Sequence, residues 1–144
     1  MEGRGFRLAS VPSPRYIAAM PNFVLVMIGG AIGAVLRYEV GRIALQRLDP
    51  GFPWGTFIVN LAGGLLMGAL AGFMFGRTPH DQALWMFVGV GLLGGFTTFS
   101  AFSFDMFAML GQGRIGLAAL YAAGSVLGAL GLLFVGFWLA RAAA

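Results

Sequence analysis

The sequence predicts an all-α membrane protein with four transmembrane helices. Hydrophobic residues make up 59% of the 144-residue chain and charged residues only 10%, and the mean hydropathy is +0.87. Four apolar stretches alternate with short connections rich in proline, glycine and charged residues. Each stretch has about the 20 residues that are needed to cross a bilayer core of roughly 30 Å. We therefore expect one membrane domain, residues 22–144, surrounded by lipid.

Several classes of function are excluded by composition. There is no cysteine, which removes disulfides, thiolate metal sites and cysteine nucleophiles, and a single histidine leaves no histidine-based metal cluster. All nine basic residues are arginines, and the net charge is +4. They form no cluster with interleaved aromatic residues, so no nucleic-acid partner is expected. No nucleophile lies in a pattern with a base, so the chain is not expected to be an enzyme.

The first 21 residues read as an extramembrane tail, because they hold three arginines and three prolines. A signal peptide formed with the apolar stretch 23–36 is the alternative. The prolines, and Arg37 following that stretch without a turn, favour a resident helix. Met20 is a second candidate for the true start of the protein.

The first apolar segment, residues 23–44, contains Arg37 on the same face as two glycines, about two turns before its end. A charged residue inside a span usually faces protein or water and marks a functional position. The alternative is that Arg37 reaches toward the interface near Glu39 or Arg42. The sequence leaves both interpretations open.

The second segment, residues 54–75, carries small and polar residues at every fourth position: Thr56, Asn60, Gly64, Gly68 and Gly72. Residues four apart lie on one face of a helix, and small residues let helices approach closely in lipid. Asn60 on this face either bonds to another helix or donates to something in a pathway.

The third segment, residues 82–110, is long for a simple span, and a break near Gly94-Gly95 would absorb the excess. Broken backbone at membrane depth must be buried in protein or line a cavity, and freed carbonyls there commonly coordinate a small cation. Phe99 and Phe102 share a face after the break, and their ring edges carry weak positive potential. Ordinary aromatic packing beside a kink is the alternative.

The fourth segment, residues 115–140, places Tyr121 and Ser125 one turn apart, which is compatible with a polar track or with ordinary packing. Gly124 and Gly128 beside them indicate a close helix contact.

The arginine distribution bears on orientation. With four spans both termini share one side, which holds five arginines against three on the other; counted from Met20, the balance is two against three. Positive charge near span ends sets orientation. A nearly unbiased chain can insert both ways, so we expect an antiparallel, dual-topology homodimer.

Three motifs resemble those of the Fluc/CrcB family of fluoride channels, in the same order. They are GGAIGAVLRY at residues 29–38, GTFIVN at 55–60 and the more specific GLLGGFTTFS at 91–100. The resemblance covers the chain from about Met20. It implies a passive channel of the bacterial inner membrane that exports fluoride, built as an antiparallel homodimer with two pores and a central structural sodium ion.

The resemblance also implies roles for individual residues. Gly94 and Thr97 would bind sodium through their backbone carbonyls, and Arg37 would be the arginine of the first motif. The fluoride pathway would contain Asn60, Phe99, Phe102, Ser100, Thr56, Tyr121 and Ser125. The chain departs from the family at Ala101 and Ala129, where relatives often carry hydroxyls.

Two other functions remain open at this point. A small dual-topology multidrug or cation antiporter would need a titratable carboxylate in mid-span, and Glu39, the candidate in the first span, sits toward one end beside Arg42. A packing subunit of a larger membrane complex would use the polar stripes as contacts between helices.

Overall fold

The computed structural model describes residues 19–75 and 82–143, and in these ranges the regular structure is helical. The helices are α1 (Ala19–Arg47), α2 (Trp54–Met74), α3 (residues 82–96), α4 (Phe99–Gly111) and α5 (Ile115–Ala143). Four stretches are long and apolar enough to span a membrane: Asn22–Arg47, Trp54–Met74, Gln82–Gly111 and Ile115–Ala143. The prediction of an all-α protein with four spans is confirmed. Most of the predicted tail, residues 1–18, lies outside the described residues, as does the connection at 76–81.

The glycine stripe of α2 packs against α5. A Cβ atom added at Gly68 would collide with the backbone carbonyl oxygen of Leu133, and one at Gly64 would lie 2.5 Å from the carbonyl oxygen of Ala129. Gly136 of α5 makes the reciprocal approach to the backbone of α2. Small residues are therefore required here because the two helices touch backbone to backbone.

A second seam of glycines joins α1 to α3. A Cβ atom at Gly33 would collide with the carbonyl oxygen of Leu92, and one at Gly95 would lie 2.5 Å from the carbonyl oxygen of Gly30. Thus Gly95 serves a close helix contact.

The helix α3 is π-helical over most of its length. One α-turn, Gln82–Leu84, precedes the π-helical stretch Trp85–Leu93, and a second α-turn, Gly94–Phe96, follows it. π-Helical structure is rare and is mostly limited to single turns, so a stretch of nine residues is unusual. Hydrophobic periodicity does not distinguish such a stretch from an α-helix, so the sequence did not predict it.

The regular helix of the third span is interrupted just after the predicted position near Gly94-Gly95. Gly94 and Gly95 remain helical, whereas Thr97 and Thr98 are extended, with ψ values of 159° and 122°. The threonine side chains stabilise this position. The Thr97 hydroxyl bonds back to the carbonyl of Leu93, and the Thr98 hydroxyl caps α4.

Candidate functional site

Asn60 of α2 holds the interruption of the third span. Its Nδ2 donates to the carbonyl oxygen of Thr98 at 3.1 Å, and its Oδ1 accepts from the Thr98 N–H at 2.9 Å. The side chain thus pairs with both backbone groups of an extended residue, much as a neighbouring strand would. Buried backbone groups need such partners, because leaving one unpaired costs about 1–3 kcal/mol. Asn60 thus bonds to another helix, and it still has one Nδ2 hydrogen that can be donated to a ligand.

Arg37 of α1 reaches the same interruption from another side. Its Nε donates to the carbonyl oxygen of Gly95 at 3.1 Å, and the contact is partly buried. Glu39 pairs instead with Arg42, at 2.6 Å, on a surface where both side chains are over 40% exposed. The structure thus favours the interior placement of Arg37 over a position at the interface. It also pairs Glu39 with a neighbouring arginine rather than placing it alone in a polar pathway.

Two carbonyl oxygens at the interruption have lost their usual helical donors. In a continuous helix the Thr98 N–H would donate to Gly94, and the Ala101 N–H would donate to Thr97. Here the first N–H donates to Asn60 and the second to the Thr98 hydroxyl, at 3.2 Å. The carbonyls of Gly94 and Thr97 are the two for which we predict cation binding, and their donor chemistry fits a small hard cation.

Side-chain clusters offer no alternative cation site within residues 19–75 and 82–143. There, no group of three or more His, Cys, Asp or Glu side chains is arranged to hold a metal ion. A cation in this part of the chain would depend on other oxygen ligands, such as the carbonyls at the interruption.

A cavity of about 350 Å³ opens between α2, the interruption, α4 and α5. Its lining includes four of the residues predicted for the fluoride pathway, namely Asn60, Phe99, Phe102 and Ser125. The ring centroids of Phe99 and Phe102 are 5.6 Å apart, with 36° between the ring planes. The structure therefore brings an amide, two aromatic rings and a hydroxyl to one cavity.

The hydroxyl of Ser125 is an unusual feature of this cavity. The residue is only 5% exposed, and its Oγ has no hydrogen-bond partner among the described residues. A serine in a membrane helix commonly bonds to the carbonyl four residues back, but Ser125 does not. Burying an unpaired polar group costs about 1–3 kcal/mol. The arrangement leaves a hydroxyl free to pair with water or an ion in the cavity.

Tyr121 lies one turn along α5 from Ser125, yet it does not line this cavity. It is fully buried, and its hydroxyl donates to Asp105 Oδ2 at 3.2 Å. Its ring contacts Phe102, with centroids 5.1 Å apart. Thr56 and Asp105 line a second, smaller cavity of about 210 Å³ near the end of α1. The predicted polar track is thus divided between two cavities.

Asp105 lies at the site although it is not among the residues predicted from the sequence. The available signal was its spacing, three residues after Phe102 and so on the same helix face. Ser100 lies elsewhere: it is exposed, its hydroxyl is 3.2 Å from that of Thr98, and it does not line the larger cavity.

Comparisons with known proteins identify the family. A family model described as CrcB-like protein, camphor resistance (CrcB), matches residues 24–137. A protein of Novosphingobium aromaticivorans named fluoride-specific ion channel FluC is 52% identical over 127 residues, which cover 87% of this chain and 100% of the relative. A protein of the same name from Hyphomonas neptunium is 50% identical over 123 residues, 85% of this chain and 97% of the relative.

These relatives also indicate the cellular location of the protein and its functional class. They are bacterial proteins named as ion channels rather than enzymes. With the four apolar helices, they identify a multi-pass protein of the bacterial inner membrane. The chain belongs to the CrcB-like family.

Proposed function

We propose that this chain is a fluoride-selective passive channel that exports cytoplasmic fluoride and so lowers its toxicity. The relatives are named as fluoride-specific channels. The observation that carries the proposal is the cavity itself, where the Asn60 amide, the Phe99 and Phe102 rings and the unpaired Ser125 hydroxyl meet. These groups offer weak positive potential without a full positive charge.

The cavity chemistry suits a small anion with a strong hydration shell. Fluoride entering it must exchange water for other donors, and selectivity then follows from the width and lining of the path. Asn60 keeps one N–H beyond the bond to Thr98, and Ser125 has a free hydroxyl. Ring edges add further weak sites. Because no single site is strong, the ion can also leave.

No energy source other than the membrane potential is required. In acidic surroundings fluoride enters cells as neutral HF, which dissociates in the less acidic interior. An interior-negative potential then drives the anion outward through an open path, by about 2.3 kcal/mol per charge for every 100 mV. A passive pore is sufficient for export.

The proposed assembly is an antiparallel, dual-topology homodimer with two pores. Its support is the near balance of arginines counted from Met20, together with the exposure of Phe99 and Gly94 on the single chain. Phe99 is 77% exposed although it lies at the interruption, near the middle of the span Gln82–Gly111. A second copy would cover this side and close the cavity. The interruption would then lie at mid-membrane.

A structural sodium ion at the dimer interface completes the proposal. Gly94 and Thr97 of each copy would hold it through their carbonyl oxygens, whose helical donors are diverted. When bound, the ion would supply a fixed positive potential near the pores. Asn60 and the Thr98 hydroxyl keep those carbonyls available by taking the two N–H groups.

Efflux from proteoliposomes tests the function directly. Purified protein is reconstituted with internal fluoride, valinomycin is added, and a fluoride electrode follows the release; chloride is tested in parallel. We expect rapid fluoride efflux without chloride efflux. No efflux of either ion from folded, dimeric protein would overturn the channel and direct attention to an antiporter that uses Glu39.

Phe99→Ile tests whether the ring lies on the ion path. The change keeps bulk and hydrophobicity but removes the ring edge, so we expect fluoride efflux to fall about three- to tenfold. The matched control is Phe104→Ile, since Phe104 is also exposed on α4 but does not line the cavity. Equal efflux rates for Phe99→Ile and wild type would show that the Phe99 ring only packs against its neighbours and does not contribute to the ion path.

Ser125→Ala should separate stability from conduction. Removing an unpaired buried hydroxyl should leave the free energy of unfolding unchanged or raise it by up to about 1 kcal/mol. The melting temperature should therefore stay the same or increase. Fluoride efflux should nevertheless fall, because a donor is lost from the cavity. Ser103→Ala is the control for the loss of a serine hydroxyl outside the cavity, because the exposed Ser103 hydroxyl donates to the backbone carbonyl of Phe99. Its fluoride efflux should stay close to that of wild type. A melting temperature well below that of wild type would show that Ser125 has a structural partner.

A further inference from the structure

Arg37 makes a contact that the proposed pathway does not use. Its Nε–H reaches across 58 positions in the sequence to the carbonyl oxygen of Gly95, at 3.1 Å. The glycine seam brings it there. Gly33, one turn earlier on α1, lies against the backbone of Leu92 and Phe96. The guanidinium is therefore held beside the last turn of α3, where the carbonyls lose their helical partners.

The carbonyls at the end of α3 and in the interruption are not equivalent. The oxygen of Gly95 accepts a charge-assisted hydrogen bond from Arg37. The oxygens of Gly94 and Thr97 have lost their helical donors to Asn60 and to the Thr98 hydroxyl. A carbonyl that already accepts a hydrogen bond is a poor cation ligand, because the partial positive charge on the donor hydrogen beside its oxygen repels a cation.

We propose that Arg37 is a positioning residue that determines which carbonyls can bind the cation. By occupying the oxygen of Gly95, it confines the site to Gly94 and Thr97. Without this contact Gly95 would either accept from the Phe99 N–H, extending the helix into the interruption, or offer a third oxygen per chain. Either change alters the ligand set. This inference rests on the sodium site of the proposed function.

The chemistry of the side chains provides a matched pair of variants. Glutamine Nε2 lies the same number of bonds from Cα as arginine Nε, so Arg37→Gln retains a donor at that atom while removing the charge. Arg37→Met places a methyl group there and removes both. Arg47→Met, at the exposed end of α1, controls for the loss of an arginine.

The measurement is the melting temperature of purified protein in detergent as sodium or potassium replaces a large organic cation. We expect wild type, Arg47→Met and Arg37→Gln to be stabilised selectively by sodium. Arg37→Gln should need no more sodium than wild type, because repulsion from the guanidinium is gone. Arg37→Met should need about ten times more sodium, a difference of about 1.4 kcal/mol, and should lose the preference for sodium over potassium.

A purely structural role gives a different pattern. Arg37→Met would then melt earlier by the same amount in every salt, with an unchanged sodium dependence, and this would overturn the proposal. Tighter sodium binding in both Arg37 variants would also overturn it, leaving only an effect of charge. If Arg37→Met does not fold, a sodium dependence lost in Arg37→Gln contradicts the proposal by itself.

The proposed sodium site can fail independently. If wild type itself shows no sodium-dependent stabilisation, the site at Gly94 and Thr97 is wrong and the role of Arg37 falls with it. Fluoride efflux from proteoliposomes would still report on the channel. The two results together show which part of the proposal fails.

Discussion

Asn60→Asp is expected to reduce fluoride efflux by about 100-fold or more. The substitution is nearly isosteric, but it places a negative charge in the cavity through which the anion would pass. It also turns the donor that faces the Thr98 carbonyl, at 3.1 Å, into a second acceptor. The two oxygens repel each other, so one of the two hydrogen bonds between residue 60 and the backbone of Thr98 is lost. Initial efflux rates from proteoliposomes at equal protein density provide the measurement.

Two controls identify the cause of that loss. Asn22→Asp makes the same chemical change at the start of α1, outside the cavity, and should leave efflux close to wild type. Asn60→Leu removes both hydrogen bonds to Thr98 without adding a charge. If Asn60→Leu conducts as slowly as Asn60→Asp, the added negative charge is not the cause of the loss. Wild-type efflux in Asn60→Asp would remove Asn60 from the pathway.

Gly68→Ala is expected to give the largest loss of stability. The added methyl group would collide with the carbonyl oxygen of Leu133, and it would lie 2.7 Å from the carbonyl carbon and 2.9 Å from Cα of the same residue. These atoms are backbone, so no rotamer change relieves the contact and α2 must move away from α5. Overpacking of this kind costs about 1–3 kcal/mol or more. Thermal melting of the purified protein measures it.

Gly131→Ala is the matched control for this prediction. Gly131 lies on α5, near the same contact, but a Cβ atom there meets nothing within 4 Å. In a helix, alanine is preferred over glycine by up to about 1 kcal/mol, so this variant should be as stable as wild type or more so. Equal melting temperatures for Gly68→Ala and Gly131→Ala would contradict the close packing of α2 on α5.

The sequence was sufficient to predict the number of helices and part of their packing. Apolar runs of membrane length fix the four spans, and the four-residue spacing of Gly64, Gly68 and Gly72 identifies the face of α2 that meets α5. The place of the interruption was predicted slightly too early. Two adjacent glycines suggested a bend, but Gly95 is small because it lies against Gly30.

The position of the interruption depends on a contact that is remote in sequence. Asn60 pairs with Thr98 across 38 positions, and local propensity does not reveal such a partner. The π-helical stretch Trp85–Leu93 was missed for a related reason, since an apolar helix shows no pattern that separates i+4 from i+5 bonding.

The candidate site was predicted in part. The structure gathers Asn60, Phe99, Phe102 and Ser125 at one cavity. Thr56 and Asp105 line the second cavity, and Tyr121 bonds to Asp105 there. The sequence shows that Tyr121 and Ser125 share a face of α5, but a shared face spans several turns. Which side chains of α4 and α5 meet depends on where α4 crosses α5. The interruption determines that crossing because it sets the position at which α4 begins.

The glycine seam between α1 and α3 has a mechanical consequence. At Gly33 and Gly95 the backbones of the two helices are in direct contact, with no side chain between them. Side chains can change rotamer, but closely packed main chain cannot yield without moving a whole helix. The carbonyls at the end of α3 therefore have a spacing as stiff as the pair of helices itself. Discrimination between ions by size requires that stiffness, because a lining that deforms would adapt to the wrong ion.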